Sequence, residues 1–120
     1  MLKYKSPWGN EYEVAFEIAN YANGNKGTAI QMMCYDKEYD FWEPYTTATV
    51  NLDKTYYHSD DSKDLVYIDD NNCPYLSDWL AEHGLATFTG RWGFSGYCSY
   101  VQMMLNRAEI EKHLLKETVR

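Results

Sequence analysis

The sequence predicts an α+β fold, a mostly antiparallel sheet of five or six strands with two helices packed on one face. Three observations predict it. From Glu11 to Ile18 the chain alternates, with Tyr12, Val14, Phe16 and Ile18 on one side and Glu11, Glu13, Ala15 and Glu17 on the other, the period of a half-buried antiparallel strand. Five further runs rich in apolar, aromatic or Thr residues lie between turn residues, at 28–35, 41–52, 65–68, 86–89 and 97–103. Two other segments carry the end signals of helices.

Each element follows from its residues. Ser6-Pro7-Trp8-Gly9-Asn10 is a turn, because Pro presets the second turn position and Gly-Asn tolerates positive φ. Asn23-Gly24 marks the loop before the strand at 28–35. Residues 36–40 turn the chain into the strand at 41–52, where Pro44 lacks a ladder N–H and so implies an edge position or a bulge. The polar stretch 54–64 reads as a loop, and 65–68 as a short apolar strand. Pro74 suits a first helical position; Leu76, Trp79, Leu80 and His83 form an inner face, and Gly84 ends the helix. The strands at 86–89 and 97–103 flank a glycine-aromatic loop, Gly90-Arg91-Trp92-Gly93-Phe94-Ser95-Gly96. Asn106 caps a second helix, with Glu109 three residues on and Leu105 and Ile110 at the staple positions. Ile110, Leu114 and Leu115 supply its apolar stripe, and Lys112, His113 and Lys116 lie toward its C-terminus, where the helix dipole favours cations.

The 120 residues suffice for a single domain, 1–120, and a chain of this size needs no disulfide or metal staple. The aromatic content is high, with 12 Tyr, 4 Trp and 4 Phe. No apolar run approaches a membrane span, and nothing behind Met1–Lys5 resembles a signal peptide, so a cytoplasmic location is expected. Cys34, Cys73 and Cys98 are odd in number and far apart, as expected of free, buried thiols.

Charge is the most informative global quantity. The net charge is −7, yet residues 36–82 hold twelve carboxylates against three lysines, a local −9, and the rest of the chain is +2. Such a segment repels nucleic acid and anionic membrane and attracts a basic surface; it equally suits ordinary solvated loops.

Catalytic and metal patterns are weak. There is no Cys-x-x-Cys and no phosphate-binding or dinucleotide fingerprint. Gly93-Phe94-Ser95-Gly96 is followed by Tyr97, where the Gly-x-Ser-x-Gly pattern of a nucleophile elbow requires its final glycine, and a strand rather than a helix is expected to follow. Asp60, Asp61, Asp64, Asp69 and Asp70 lack the spacing of a calcium loop. No cofactor or metal is therefore expected, and binding is favoured over catalysis. A small hydrolase or metalloenzyme using Ser95, a cysteine or the aspartates is the alternative from the enzyme class.

Two constellations fit binding. In the loop 90–96, Arg91, Trp92 and Phe94 are residues typical of interface anchors, unless the two rings turn into the core. In the stretch 35–45, Asp36, Glu38, Asp40 and Glu43 alternate with Tyr and Trp, so that carboxylates imitate a phosphate row beside aromatic contact area. With Asp60, Asp61, Asp64, Asp69 and Asp70 they form the candidate partner-binding set.

The runs Ser6–Val14, Tyr21–Gly24 with Ala29–Gln31, and Pro44–Leu52 resemble a family of short, acidic, Tyr-rich proteins of unknown function carried on conjugative elements and phages of gut bacteria. The resemblance continues through Asp69–Pro74 and Gly90–Tyr97 and covers about residues 3–103. It implies a mobile-element accessory protein. Small acidic proteins of that setting often shield the element from host defence, so it implies a counter-defence inhibitor of anti-CRISPR or anti-restriction type. The partner would be a Cas nuclease or another defence protein, met at its basic nucleic-acid groove. A module binding the element's own DNA-processing or transfer proteins is the other expectation. Neither involves nucleic acid or membrane directly.

Overall fold

A computed structural model describes residues 2–20, 28–50 and 64–115. Eight strands and two helices run in the order β1 (Lys3–Lys5), β2 (Glu11–Asn20), β3 (Thr28–Asp36), β4 (Phe41–Thr47), β5 (Thr49–Val50), β6 (Leu65–Ile68), α1 (Leu76–Glu82), β7 (Ala86–Ser95), β8 (Cys98–Leu105) and α2 (Arg107–Glu111). They form two four-stranded antiparallel sheets, ordered β1-β2-β3-β4 and β5-β6-β8-β7. The α+β class and antiparallel character follow the expectation, but a single sheet of five or six strands does not form.

The reason lies at Ala48. The long strand expected at 41–52 divides there, β4 pairing with β3 and β5 with β6. The Ala48 N–H donates to the Ile30 carbonyl at 2.8 Å, and its own carbonyl accepts from the Asp69 N–H at 2.9 Å. One buried residue thus joins the sheets, and Thr49 Oγ1 accepts the Ile30 N–H at 3.1 Å beside it. Pro44 behaves as its chemistry requires. It lies on β4, at the end of its sheet, and the register slips beside it as Met33 pairs with Pro44 and Met32 with Thr46.

The alternation of β2 sets the core. Val14 and Phe16 are buried, Tyr12 and Ile18 pack against them, and Ile30, Met32 and Cys34 of β3 lie opposite. Val66, Ile68, Val101, Met103 and Leu105 bring the second sheet into the same cluster, with Leu76, Trp79 and Leu80 of α1 and Ile110 of α2. One continuous core therefore lies between both sheets and both helices.

The helix ends differ in detail from the expectation. α1 starts at Leu76, not Pro74, after Tyr75 in the left-handed conformation (φ 65°, ψ 14°). Tyr75 provides no side-chain cap; Asp70 does so from outside, accepting from Ser77 N at 2.8 Å and Ser77 Oγ at 2.6 Å. Gly84, at φ +69°, ends α1 as expected. Asn106 caps α2 as expected, its side chain accepting from Glu109 N at 3.4 Å. α2 ends at Glu111, and the chain then runs beside β2, with Phe16 N donating to His113 O at 2.9 Å and Leu115 N to Phe16 O at 2.8 Å. Leu114 therefore joins the core through sheet-like pairing, not as part of a helical stripe.

Candidate functional site

The acidic residues do not share one location. Asp36, Glu38 and Asp40 lie together around the turn between β3 and β4. Asp36 Oδ1 accepts the backbone N–H groups of Glu38 (2.9 Å) and Tyr39 (3.2 Å), an Asx-type turn that shapes the tip. Asp40 sits at φ 55°, a conformation Asp tolerates, and its carboxylate accepts from the Tyr35 hydroxyl. That bond raises the Tyr35 pKa by favouring its protonated form. Tyr39 and Phe41 are exposed beside these carboxylates. Glu43 lies on β4 opposite Cys34, whose thiol points at Glu43 Oε1 from 3.9 Å. Burial, then the nearby carboxylates, pushes the Cys34 pKa up.

The other aspartates serve the fold. Asp64 forms a 2.8 Å ion pair with Arg107. Asp69 Oδ1 accepts from Asn72 N at 3.1 Å and Oδ2 from Asn72 Nδ2 at 2.7 Å, while Asp70 caps α1. Asp64 and Asp69 flank β6 at opposite ends. The run from Phe41 to Ala48, whose carbonyl meets Asp69, spans about 23 Å along the strand at ordinary rise. The 36–40 tip is thus far from the aspartates around β6. Asp60 and Asp61 lie outside the described residues.

The segment expected as a loop at 90–96 is strand as far as Ser95, and only Gly96-Tyr97 turns. Gly96 has φ +61° at the first of two central positions, the requirement of a tight hairpin turn with Gly there. A bulge explains the misreading: Thr89, Gly90 and Arg91 together face Gln102 alone, between the pairs Phe88–Met103 and Trp92–Val101. Gly90, at φ +86°, makes the bulge possible. Thr89 Oγ1 locks it by donating to Gln102 Oε1 at 2.7 Å and accepting from Arg91 N at 3.2 Å. Gln102 is buried, and its Nε2 donates to Tyr67 OH at 3.3 Å.

The bulge has a consequence for side chains. Paired residues share a sheet face, so Phe88 and Trp92 lie on the side occupied by buried Met103 and Val101. Their exposures are nevertheless 43% and 57%, with Phe94 at 53%. β7 ends its sheet, and its aromatic row overhangs the core instead of closing it. Trp92 and Phe94 are therefore surface residues. Within 86–105, Arg91 is the sole charged residue.

Two of the three cysteines follow the expectation of burial; Cys98, beside the Gly96-Tyr97 turn, is exposed. Tyr4 OH and Cys73 Sγ share a buried 3.1 Å hydrogen bond, and burial raises both pKa values. Ser95 leads into a strand-to-strand turn, not the strand-to-helix turn of an elbow. Among the described residues no group of three or more His, Cys, Asp or Glu could hold a metal ion, and no helix is long and apolar enough to cross a membrane.

The architecture and surface define a small α+β domain whose described surface is marked by an aromatic edge strand and an acidic hairpin tip. The chain belongs to the family described as Domain of unknown function (DUF4313), whose model matches residues 15–119. No curated protein and no solved structure matches it.

Proposed function

We propose that this protein acts by binding another protein, and that edge strand β7 supplies the main anchors. The observation that carries this reading is the row Phe88, Trp92 and Phe94, exposed on one side of a hairpin with a single charge in an acidic chain. Large aromatics in a charge-depleted patch are the composition of interface centres. The bulge at 89–91 guards most of the edge against open-ended strand addition, so recognition rests on side chains more than on backbone pairing. The test is affinity capture from a host lysate with wild-type protein and a Trp92→Ser, Phe94→Ser double variant. Capture should fall at least tenfold while the thermal midpoint stays within about 2 °C. Undiminished capture by the folded double variant refutes the reading.

A second observation favours a finer version, a counter-defence inhibitor of anti-CRISPR or anti-restriction type encoded by a mobile element. The β3–β4 tip presents Asp36, Glu38 and Asp40 with Tyr39 at 70% exposure. That combination suits entry into the cationic nucleic-acid groove of a defence nuclease. The relevant carboxylates are then the tip alone, since Asp64, Asp69 and Asp70 are engaged within the fold. Asp36→Asn, Glu38→Lys and Asp40→Asn together keep the turn acceptors and remove the charge. If nuclease protection and its salt dependence survive this triple change, the electrostatic version fails. Capture confined to the element's own DNA-processing proteins would favour an accessory role instead.

A further inference from the structure

The stretch of β7 between its bulge and its turn reads nearly the same in both directions. Gly90-Arg91-Trp92-Gly93-Phe94-Ser95-Gly96 has Gly93 at its middle, an aromatic on each side, a hydrophilic residue beyond each aromatic and a glycine at each end. We propose that this palindrome is a two-fold contact, and that the protein β7 meets is a second copy of this chain. The proposal rests on the reading of β7 as an anchor surface and names the partner of that surface.

Symmetry makes the match. A two-fold interface sets one patch against itself, so that residue i meets j and j meets i. Antiparallel pairing centred on Gly93 sets Trp92 against Phe94 of the second copy, Phe94 against its Trp92, and Gly93 against its own equivalent. Both flanking glycines have positive φ, +86° at Gly90 and +61° at Gly96, so the extended stretch has the same limits, 91–95, in either direction. Only this centre lets two copies pair over the whole of that stretch. Among the described residues no strand pairs with the outer side of β7, which ends its sheet. Pairing about a two-fold axis uses each edge once, so it closes instead of running on into a fibre.

Charge selects the same occupant. The chain carries −7, so two copies repel unless they meet where carboxylates are absent. The hairpin 86–105 has none, and in this register its one charge, Arg91, falls opposite Ser95 of the second copy, away from the second Arg91. A basic partner gains nothing from a patch without carboxylates.

Side chains supply most of the contact. Trp92 and Phe94 are each about half exposed on one face, and residues directly opposite across an antiparallel pair bring their Cβ atoms within about 5 Å. A fully buried aromatic covers roughly 150–250 Å², so the half-exposed rings of two copies give on the order of 400 Å². With the short backbone seam the contact stays below the roughly 1,200 Å² of a standard stable interface. The dimer is therefore of the weak class and dissociates on dilution.

Sedimentation velocity of the full chain, from micromolar to millimolar, should show one chain mass passing into two. Trp92→Ser with Phe94→Ser should stay monomeric throughout, with an unchanged thermal midpoint at micromolar concentration. The amides of 91–95 should exchange more slowly as concentration rises. For the register, benzoylphenylalanine at position 92 should, on irradiation, join unlabelled to isotope-labelled chains at residues 93–95. A monomer at millimolar concentration, a dimer undiminished in the folded double variant, or crosslinks between copies that fall outside 91–95 overturns the proposal. A monomer whose lysate capture still needs Trp92 and Phe94 overturns it while leaving the β7 reading with another partner; a monomer whose capture ignores them removes both.

Discussion

Asp70→Ala separates a folding role from a binding role at a residue whose charge alone suggests an interaction surface. Asp70 accepts two hydrogen bonds from Ser77, from N at 2.8 Å and from Oγ at 2.6 Å, and Ser77 is buried. Hydrogen bonds to a charged acceptor contribute about 1.5–3 kcal/mol each in favourable cases. Asp70 is itself only half-buried, so water screens part of that. Loss of a helix N-terminal acceptor by itself costs about 1 kcal/mol, and an orphaned buried hydroxyl adds a further 1 kcal/mol or more, on the order of 2–4 kcal/mol together. At roughly 4 °C per kcal/mol for a chain of this size, the midpoint should fall by about 8–16 °C. Urea unfolding followed by Trp fluorescence is the assay, and the slope with denaturant should be unchanged. Asp70→Asn keeps an acceptor for Ser77 N and can donate to Ser77 Oγ, so it should cost less than about 1 kcal/mol while removing the charge. An Asp70→Ala protein within about 0.5 kcal/mol of wild type would refute the capping argument. An Asp70→Asn loss as large as that of Asp70→Ala would show that charge, not bond geometry, matters there.

Met103→Ala should destabilise by about 3 kcal/mol, because Met103 is fully buried in the shared core, and chemical denaturation measures it. Alkaline pH should also destabilise. The pKa values of Cys34, Cys73, Tyr4 and Tyr45 are all raised by burial, so the folded state retains protons that the unfolded chain releases from about pH 8.5 for thiols and about pH 10 for tyrosines. Stability should be full below that window and decline above it. Tyr4→Phe should make the decline beyond about pH 10 shallower in urea midpoints taken from pH 7 to 11.

Local signals in the chain were sufficient for most elements. The alternation of 11–18 located β2, Pro44 pointed to an edge or a bulge and β4 has both, and Asn106 with Glu109 marked a real helix start. Long-range pairing was not legible. Nothing local at Ala48 tells that the strand changes partner there, since the carbonyl and amide that meet it belong to Ile30 and Asp69. The glycines of 90–96 read as a loop because Gly90 and Gly96 do serve a bulge and a turn, yet the residues between them pair with β8. Asp70 looked like free charge because its partner, Ser77, lies beyond an intervening turn and carries no sign of the contact.

The shared residue at Ala48 also governs how the molecule comes apart. A chain with two sheets could in principle lose one and keep the other. Here the amide of Ala48 belongs to the first ladder and its carbonyl to the second, so neither can peel away without tearing a bond at the seam. The slowest-exchanging amides should therefore include Ala48 and Asp69, and their exchange should track complete unfolding, not partial opening.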